Sequence, residues 1–145
     1  MKGTVIAFGS FDLLHPGHLK YLEEARKLGS RLVVVVARDE TIMLLKKIKP
    51  IMTQYDRALL VSSLKMVDEA TVGRRIRSKS DLYNIFLEYK PDVIALGYDQ
   101  SVDMPEMKKW LAKHKMKTKI IRLNTRLDGP QYKSSKIKER IRSSS

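Results

Sequence analysis

The stretch at residues 4–28, TVIAFGSFDLLHPGHLKYLEEARKL, decides the fold. Residues 4–8 are apolar and β-branched, which is typical of a buried strand. Residues 15–28 predict a helix, because Gly29 supplies a C-terminal stop and apolar side chains recur at helical spacing: Leu19, Leu22, Ala25 and Leu28. A buried strand that turns directly into a helix is the first half of an α/β unit.

The rest of the chain repeats this alternation of strand and helix. Further strands are predicted at residues 32–37, 69–72, 93–96 and 118–122, and helices at residues 40–47, 54–64, 80–89, 105–113 and 134–142. Short strands interleaved with helices predict a single-domain α/β fold with one open parallel sheet and right-handed crossovers. We expect the domain to cover residues 1–142 and the tail at residues 143–145 to be frayed.

Composition narrows the class of protein. The chain of 145 residues is long enough for one domain with a real core, and it contains no Cys, which excludes disulfides and thiolate metal sites. It has neither a long apolar span nor a secretory signal, so we expect a cytoplasmic protein with no membrane partner.

The net charge of +13 favours anionic partners. Nucleotides and phosphorylated metabolites fit that charge, and so does nucleic acid, which leaves a basic nucleic-acid-binding protein as a rival class of function. Aromatic residues are sparse and no groove-reading motif is present, which favours a small phosphorylated ligand and no nucleic acid.

The ligand site is expected at one edge of the sheet. In open α/β sheets, ligands bind beyond the carboxyl ends of the strands, where the strand order reverses. The predicted strands place four segments at that edge, near Gly9, Arg38, Gly97 and Thr125. The unusual residues of the chain cluster in those same segments.

The segment at residues 9–18, GSFDLLHPGH, carries the strongest chemical signal. Gly9 and Gly17 let the backbone approach a ligand closely, and Pro16 is suited to the first turn of a helix. His15 and His18 share one face at the positive end of that helix, where unpaired N–H groups form an anion site. Two other interpretations stay open: ordinary histidines at a helix start, and a zinc site of the His-x-x-His type.

This segment resembles the opening of the cytidylyltransferase-like nucleotidyltransferase family, whose signature is His-x-Gly-His. The resemblance implies a Rossmann-like nucleotidyltransferase (HUP-type) fold. It also implies that His15 and His18 contact a nucleoside triphosphate around its α-phosphate. The nucleotide-binding loop over the phosphates would then contain Gly9, Ser10, Phe11, Asp12 and Gly17.

Three later segments extend the resemblance over nearly the whole chain. Residues 46–57 resemble the family's mobile basic loop, residues 97–99 its Gly-x-Asp motif, and residues 132–137 its late Ser/Thr-rich motif. The resemblance implies catalytic roles for Lys49 and Arg57, acceptor-phosphate binding by Lys46 and Lys47, and nucleotide binding by Gly97, Asp99, Arg126, Ser134 and Ser135. Without the resemblance, the lysines fit a solvated face and the serines fit a helix N-cap equally well.

Within this family the chain resembles the archaeal-type FAD synthases, on the segments VVVVARDE, KPDVIALGYDQ and SSKIKERI. The resemblance implies transfer of AMP from ATP to FMN, with Mg²⁺ or another divalent cation, in a homodimer. An alternative is a cytidylyltransferase that uses CTP and a small phosphorylated alcohol such as glycerol 3-phosphate. Either reaction would proceed by in-line attack on the α-phosphate, with Asp12 as the nearest plausible metal carboxylate.

Overall fold

The structure is a computed structural model that describes residues 3–124. Its strands are β1 (Thr4–Gly9), β2 (Arg31–Val36), β3 (Glu69–Val72), β4 (Val93–Leu96) and β5 (Lys119–Arg122). Its α-helices are α1 (Pro16–Arg26), α2 (Asp39–Lys46), α3 (Gln54–Ser62), α4 (Ile85–Tyr89) and α5 (Met104–Lys113). The predicted helix at residues 134–142, the segment near Thr125 and three predicted site residues lie outside the described residues: Arg126, Ser134 and Ser135.

The five strands form one sheet in the order β3-β2-β1-β4-β5, and every neighbouring pair is parallel. The open parallel sheet predicted from the sequence is confirmed. The strand order reverses between β1 and β4, which pair in register from Val5 with Val93 to Ala7 with Ala95. The carboxyl ends of these two strands therefore flank the crevice in which such sheets bind ligands.

Hydrophobic residues fill both faces of the sheet because successive residues of each strand point to opposite sides. Val5 and Ala7 of β1 pack on one face with Leu22 of α1 and Val61 of α3. Ile6 packs on the other face among side chains of α4 and α5, which include Phe86, Met107 and Leu111. Coverage on both faces explains the almost continuous apolar runs of β1, β2 and β4.

The sequence prediction of one α-helix at residues 80–89 was wrong for its first half. Residues Lys79–Asn84 form a 3-10 helix, and only α4 continues as an α-helix. The side chain of Asp81 accepts hydrogen bonds from the backbone N–H groups of Arg77 and Ser78, at 2.8 and 3.1 Å, and so closes a tight first turn. Among residues 3–124, no helix has the length and apolar character needed to cross a membrane.

Candidate active site

The first turn of α1 is held by two histidines. His15 is the N-cap residue, and its Nδ1 accepts a hydrogen bond from the backbone N–H of Gly17 at 3.1 Å. Nδ1 of His18 accepts from the backbone N–H of His15 at 3.3 Å. The bond to His18 and a contact from the backbone of His18 to the side chain of His15 form a capping box, in which imidazoles replace the more usual Ser and Glu side chains. The spacing His-Pro-Gly-His thus serves the local fold.

The capping bonds determine which nitrogen of each ring carries the proton. Because both Nδ1 atoms accept hydrogen bonds, the proton of each neutral imidazole lies on Nε2. The rings of His15 and His18 stack, with centroids 3.8 Å apart. Burial lowers the pKa of His15 below its ordinary value, and the nearby carboxylate of Asp99 opposes that shift. Each neutral ring at the helix start therefore carries an Nε2–H donor, and burial of His15 favours its neutral form.

The loop after β1 fixes the position of His18. Phe11 and Leu13 adopt left-handed backbone conformations, with φ of 52° and 71°. The Phe11 ring is buried and lies edge-on to the His18 ring at a centroid distance of 5.3 Å. A Cβ on Gly9 would lie 3.1 Å from the Phe11 ring, so a larger residue at position 9 would displace it. Gly9 and the ring of Phe11 thus support His18, and the ring is too buried to stack on a base.

Asp12, predicted as the nearest plausible metal carboxylate, accepts hydrogen bonds from the backbone. Its side chain is fully buried. One carboxylate oxygen accepts the backbone N–H of Ile51 at 2.8 Å, and the other accepts that of Met52 at 2.9 Å. A carboxylate that satisfies two backbone donors is oriented by the chain itself. Asp12 therefore attaches the segment that follows the lysines to the loop after β1.

Arg57, predicted to have a catalytic role, is held by protein partners. Its side chain is fully buried. Nε donates to the carbonyl oxygen of Met52 at 3.0 Å, Nη1 donates to that of Ser10 at 2.7 Å, and Nη2 forms an ion pair with Asp39. Arg57 is thus a positioning residue that links α3, α2 and the phosphate-loop backbone. The backbone N–H groups of Asp39 and Gln54 also donate to each other's side chains.

The predicted basic loop begins at the end of α2. Lys46 is the last residue of this helix, and Lys47 ends it in a left-handed conformation with φ of 55°. Lys49 follows before Pro50, and all three lysine side chains are exposed. The helix therefore ends four residues before Pro50.

The loop after β4 closes the other side of the crevice. The backbone N–H of Gly97 donates to Oε1 of Gln100 at 2.7 Å, and Nε2 of Gln100 donates to the carbonyl oxygen of Phe8 at 2.6 Å. Nη1 of Arg122 donates to the carbonyl oxygens of Gly97 and Gln100, at 2.8 and 2.9 Å. Gln100 thus bridges β1 and β4 at the point where the strand order reverses.

Sequence reasoning missed four of these residues: Asp39, Gln54, Gln100 and Arg122. A signal existed for Asp39 and Gln100, because each follows a strand whose carboxyl end lies at the predicted ligand edge. The position of these two residues in the sequence could not have identified their hydrogen-bond partners. The bonds join residues as far apart in sequence as Phe8 and Gln100.

The arrangement is suited to binding anions. Two imidazole donors and the N-terminus of α1 lie at the crevice, and Asp99 acts electrostatically on His15 from the loop after β4. Within the described residues, no group of three or more His, Cys, Asp or Glu could hold a metal ion. A zinc site at the two histidines, left open by the sequence, therefore lacks further ligands in this part of the chain.

Similarity to known proteins agrees with this geometry. A family model described as cytidylyltransferase-like matches residues 6–140. An FAD synthase of Archaeoglobus profundus is 41% identical over 94% of this chain and 84% of that protein. An FAD synthase of Aciduliprofundum boonei is 45% identical over 94% of this chain and 91% of that protein.

A solved structure extends the similarity to three dimensions. The crystal structure of a lipopolysaccharide core biosynthesis protein from Thermoplasma volcanium has a TM-score of 0.78 and 42% identity, and covers 86% of this chain and 98% of that one. The family model spans nearly the whole chain, and the histidine pair that carried the resemblance lies at the sheet edge. The chain belongs to the cytidylyltransferase-like nucleotidyltransferase family.

Proposed function

We propose that this protein is an FMN adenylyltransferase, an FAD synthase that transfers AMP from ATP to FMN and releases pyrophosphate. The observation that carries the proposal is the stacked pair His15 and His18, which presents two Nε2–H donors at the start of α1. The relatives named FAD synthase supply the choice of ATP and FMN.

The triphosphate of ATP would bind with its α-phosphate at the first turn of α1. The helix N-terminus attracts negative charge, and the two Nε2–H groups donate to phosphate oxygens. Asp99 and Gly97, across the crevice, would meet the ribose or the base. Arg126, Ser134 and Ser135 would bind the outer phosphates, a role taken from the family resemblance alone.

The reaction requires no protein nucleophile. A phosphate oxygen of FMN attacks the α-phosphorus of ATP in line, a new P–O bond forms, and the bond between the α-phosphorus and the oxygen bridging to the β-phosphate breaks. Pyrophosphate leaves with the electron pair of that bond. The FMN phosphate is already largely ionised at neutral pH, so no general base is needed.

Charge neutralisation would then be the main catalytic effect. His15 and His18 would stabilise the charge that develops on the α-phosphate and on the departing pyrophosphate. Lys49, with Lys46 and Lys47, would reduce the repulsion between the two anionic substrates, because these lysines are exposed on the segment that Asp12 attaches to the phosphate loop.

The divalent cation would enter with ATP as part of the substrate. Both carboxylate oxygens of Asp12 accept backbone N–H groups, and residues 3–124 offer no cluster of metal ligands. The lack of such a cluster among residues 3–124 fits Mg²⁺, because Mg²⁺ keeps several waters and binds substrate phosphates in preference to a protein cage.

The test is a matrix of two nucleotides and two acceptors. The purified protein is incubated with ATP or CTP and with FMN or glycerol 3-phosphate, and pyrophosphate and the products are quantified. FAD with stoichiometric pyrophosphate in the ATP and FMN reaction alone is the expected result. Turnover only with CTP and glycerol 3-phosphate would support the cytidylyltransferase alternative. Pyrophosphate in none of the four reactions would contradict nucleotidyl transfer and favour the nucleic-acid-binding class.

A further inference from the structure

The segment at residues 43–51 combines positive charge with unusual apolar exposure. Residues 43–49 are all exposed, although they include four large apolar side chains. Three lysines alternate with the apolar residues in the order Leu45, Lys46, Lys47, Ile48, Lys49. Leu45, Ile48 and Ile51 are 42, 43 and 45% exposed. Apolar surface of this kind, beside charge and next to a ligand site, indicates a binding surface.

The attachment of this segment sets its position relative to the phosphates. The backbone N–H groups of Ile51 and Met52 bind the buried carboxylate of Asp12 in the loop after β1. Arg57 binds the carbonyl oxygens of both Met52 and Ser10. The exposed apolar side chains therefore begin directly beside the loop that leads to His15.

The chemistry of the surface selects among three possible occupants. A second copy of the chain would bring its own lysines toward these lysines, and each copy already carries a net charge of +13. A lipid surface would accept the charge, but a helix as short as the eight residues of α2 offers little apolar face for insertion. A flat aromatic ring system that carries a phosphate satisfies both the apolar side chains and the lysines.

We propose that Leu45, Ile48 and Ile51 form the platform on which the isoalloxazine ring of FMN packs, while the interleaved lysines meet its phosphate. This inference rests on the proposed function, because it takes FMN to be the acceptor. The exposed apolar face of α3, which includes Tyr55 and Leu59, contains no lysine and is not part of the platform.

The test compares the double variant Ile48→Gln/Ile51→Gln with the wild type and with Leu87→Gln. Leu87 is a matched control, because it is 43% exposed, as Ile48 is, and lies on α4 away from the segment. Loss of two apolar contacts is expected to raise the KM for FMN about tenfold, with the KM for ATP and kcat within about twofold of wild type. Leu87→Gln is expected to leave all three constants unchanged.

Riboflavin provides a readout that does not depend on catalysis, since it has the ring without the phosphate. Quenching of its fluorescence should give a dissociation constant about tenfold higher in the double variant than in the wild type. Equal riboflavin affinity in the two proteins, or no riboflavin binding by the wild type, would overturn the platform. If the double variant sediments at a lower mass than the wild type and binds riboflavin equally well, the surface would be assigned to a second copy of the chain instead.

The two levels of the proposal fail in different ways. If the wild type forms no FAD from ATP and FMN, the proposed function fails, whatever riboflavin does. If the wild type forms FAD but the double variant keeps the wild-type KM for FMN, only the platform fails. Tighter binding of the wild type than of the double variant to vesicles of anionic lipid, with equal riboflavin affinity, would assign the surface to a membrane.

Discussion

The two halves of the candidate site, residues 9–18 and residues 43–51, are built in opposite ways. In the first half, both imidazoles are oriented by backbone hydrogen bonds, and the Phe11 ring contacts the His18 ring edge-on. In the second half, seven consecutive side chains are exposed, and the backbone of Ile51 is attached to Asp12 in the loop after β1. In one half the side chains are oriented by backbone hydrogen bonds, and in the other they lie on the surface.

This difference corresponds to the two tasks of the proposed enzyme. Stabilising charge on a phosphorus atom requires donors that need no reorganisation at the moment of reaction. Holding an acceptor requires contacts to a group that differs between members of one family. Under the proposed function, the fixed half would account for the type of reaction, and the exposed half for the choice of acceptor.

The largest expected effect comes from the fixed half. His18→Ala should lower kcat for FAD formation by about 10²–10³, because it removes one Nε2–H donor to the reacting phosphate. The measurement is steady-state turnover at saturating ATP and FMN. Turnover within about threefold of wild type would contradict the role of His18.

His18→Gln separates the imidazole from the helix cap. A Gln at the third position of a helix can accept the backbone N–H of residue 15, as Nδ1 of His18 does, and so preserves the capping box. We expect His18→Gln to keep the wild-type melting temperature and still lose most of the turnover. Wild-type turnover in His18→Gln, whose amide also carries N–H donors, would show that the reaction does not require an imidazole at this position.

An intermediate effect is expected where the two halves are joined. Asp12→Ala would leave the buried N–H groups of Ile51 and Met52 without their acceptors, which should lower the free energy of unfolding by about 2–3 kcal/mol. Urea denaturation measures the free energy of unfolding with and without Mg²⁺, and the decrease caused by Asp12→Ala should be equal in both conditions. Asp12→Asn keeps one carbonyl acceptor and should lose less.

A different outcome for Asp12→Ala would restore the metal-ligand interpretation. Wild-type stability in urea, together with a much higher Mg²⁺ requirement for turnover, would mean that the carboxylate binds the cation and that the two backbone contacts contribute little.

The smallest expected effect is a dependence of stability on pH. The pKa of His15 is lowered in the folded protein, so below about pH 6.5 the unfolded chain takes up a proton first. The contribution of His15 to stability should therefore be constant above that pH and decline as the pH falls toward the lowered folded-state pKa. His15→Asn, which keeps a good N-cap and does not titrate, should show a smaller loss of unfolding free energy between pH 7.5 and pH 5. An equal decrease in the free energy of unfolding of the wild type and of His15→Asn over this pH range would contradict this account.

The fold was largely predictable from the sequence. The apolar runs of β1, β2 and β4 are continuous because both faces of the sheet are covered, so a local pattern predicts these strands. Helix α1 was also predicted, although it ends at Arg26, before the predicted stop at Gly29. The histidine pair was predictable for the same reason, since its capping bonds span only two or three residues.

The roles of Asp12 and Arg57 were not predictable, because their partners are distant in sequence. Asp12 binds a backbone segment some 40 residues away, and Arg57 binds Ser10 across 47 residues. A charged residue in a ligand-binding motif has the same sequence pattern whether it contacts the substrate or supports the loop that does. Only the folded contacts separate the two, and here both side chains are buried.

The most direct test of the central claim measures kcat and the KM for FMN in two variants side by side. The account predicts that His18→Ala lowers kcat at least about 100-fold with little change in KM, because its donor acts on the reacting phosphate. It predicts the reverse for Ile48→Gln/Ile51→Gln, in which KM rises about tenfold and kcat is retained. If each variant instead changed both constants together, the division of the site into a fixed catalytic half and an acceptor-binding half would be contradicted.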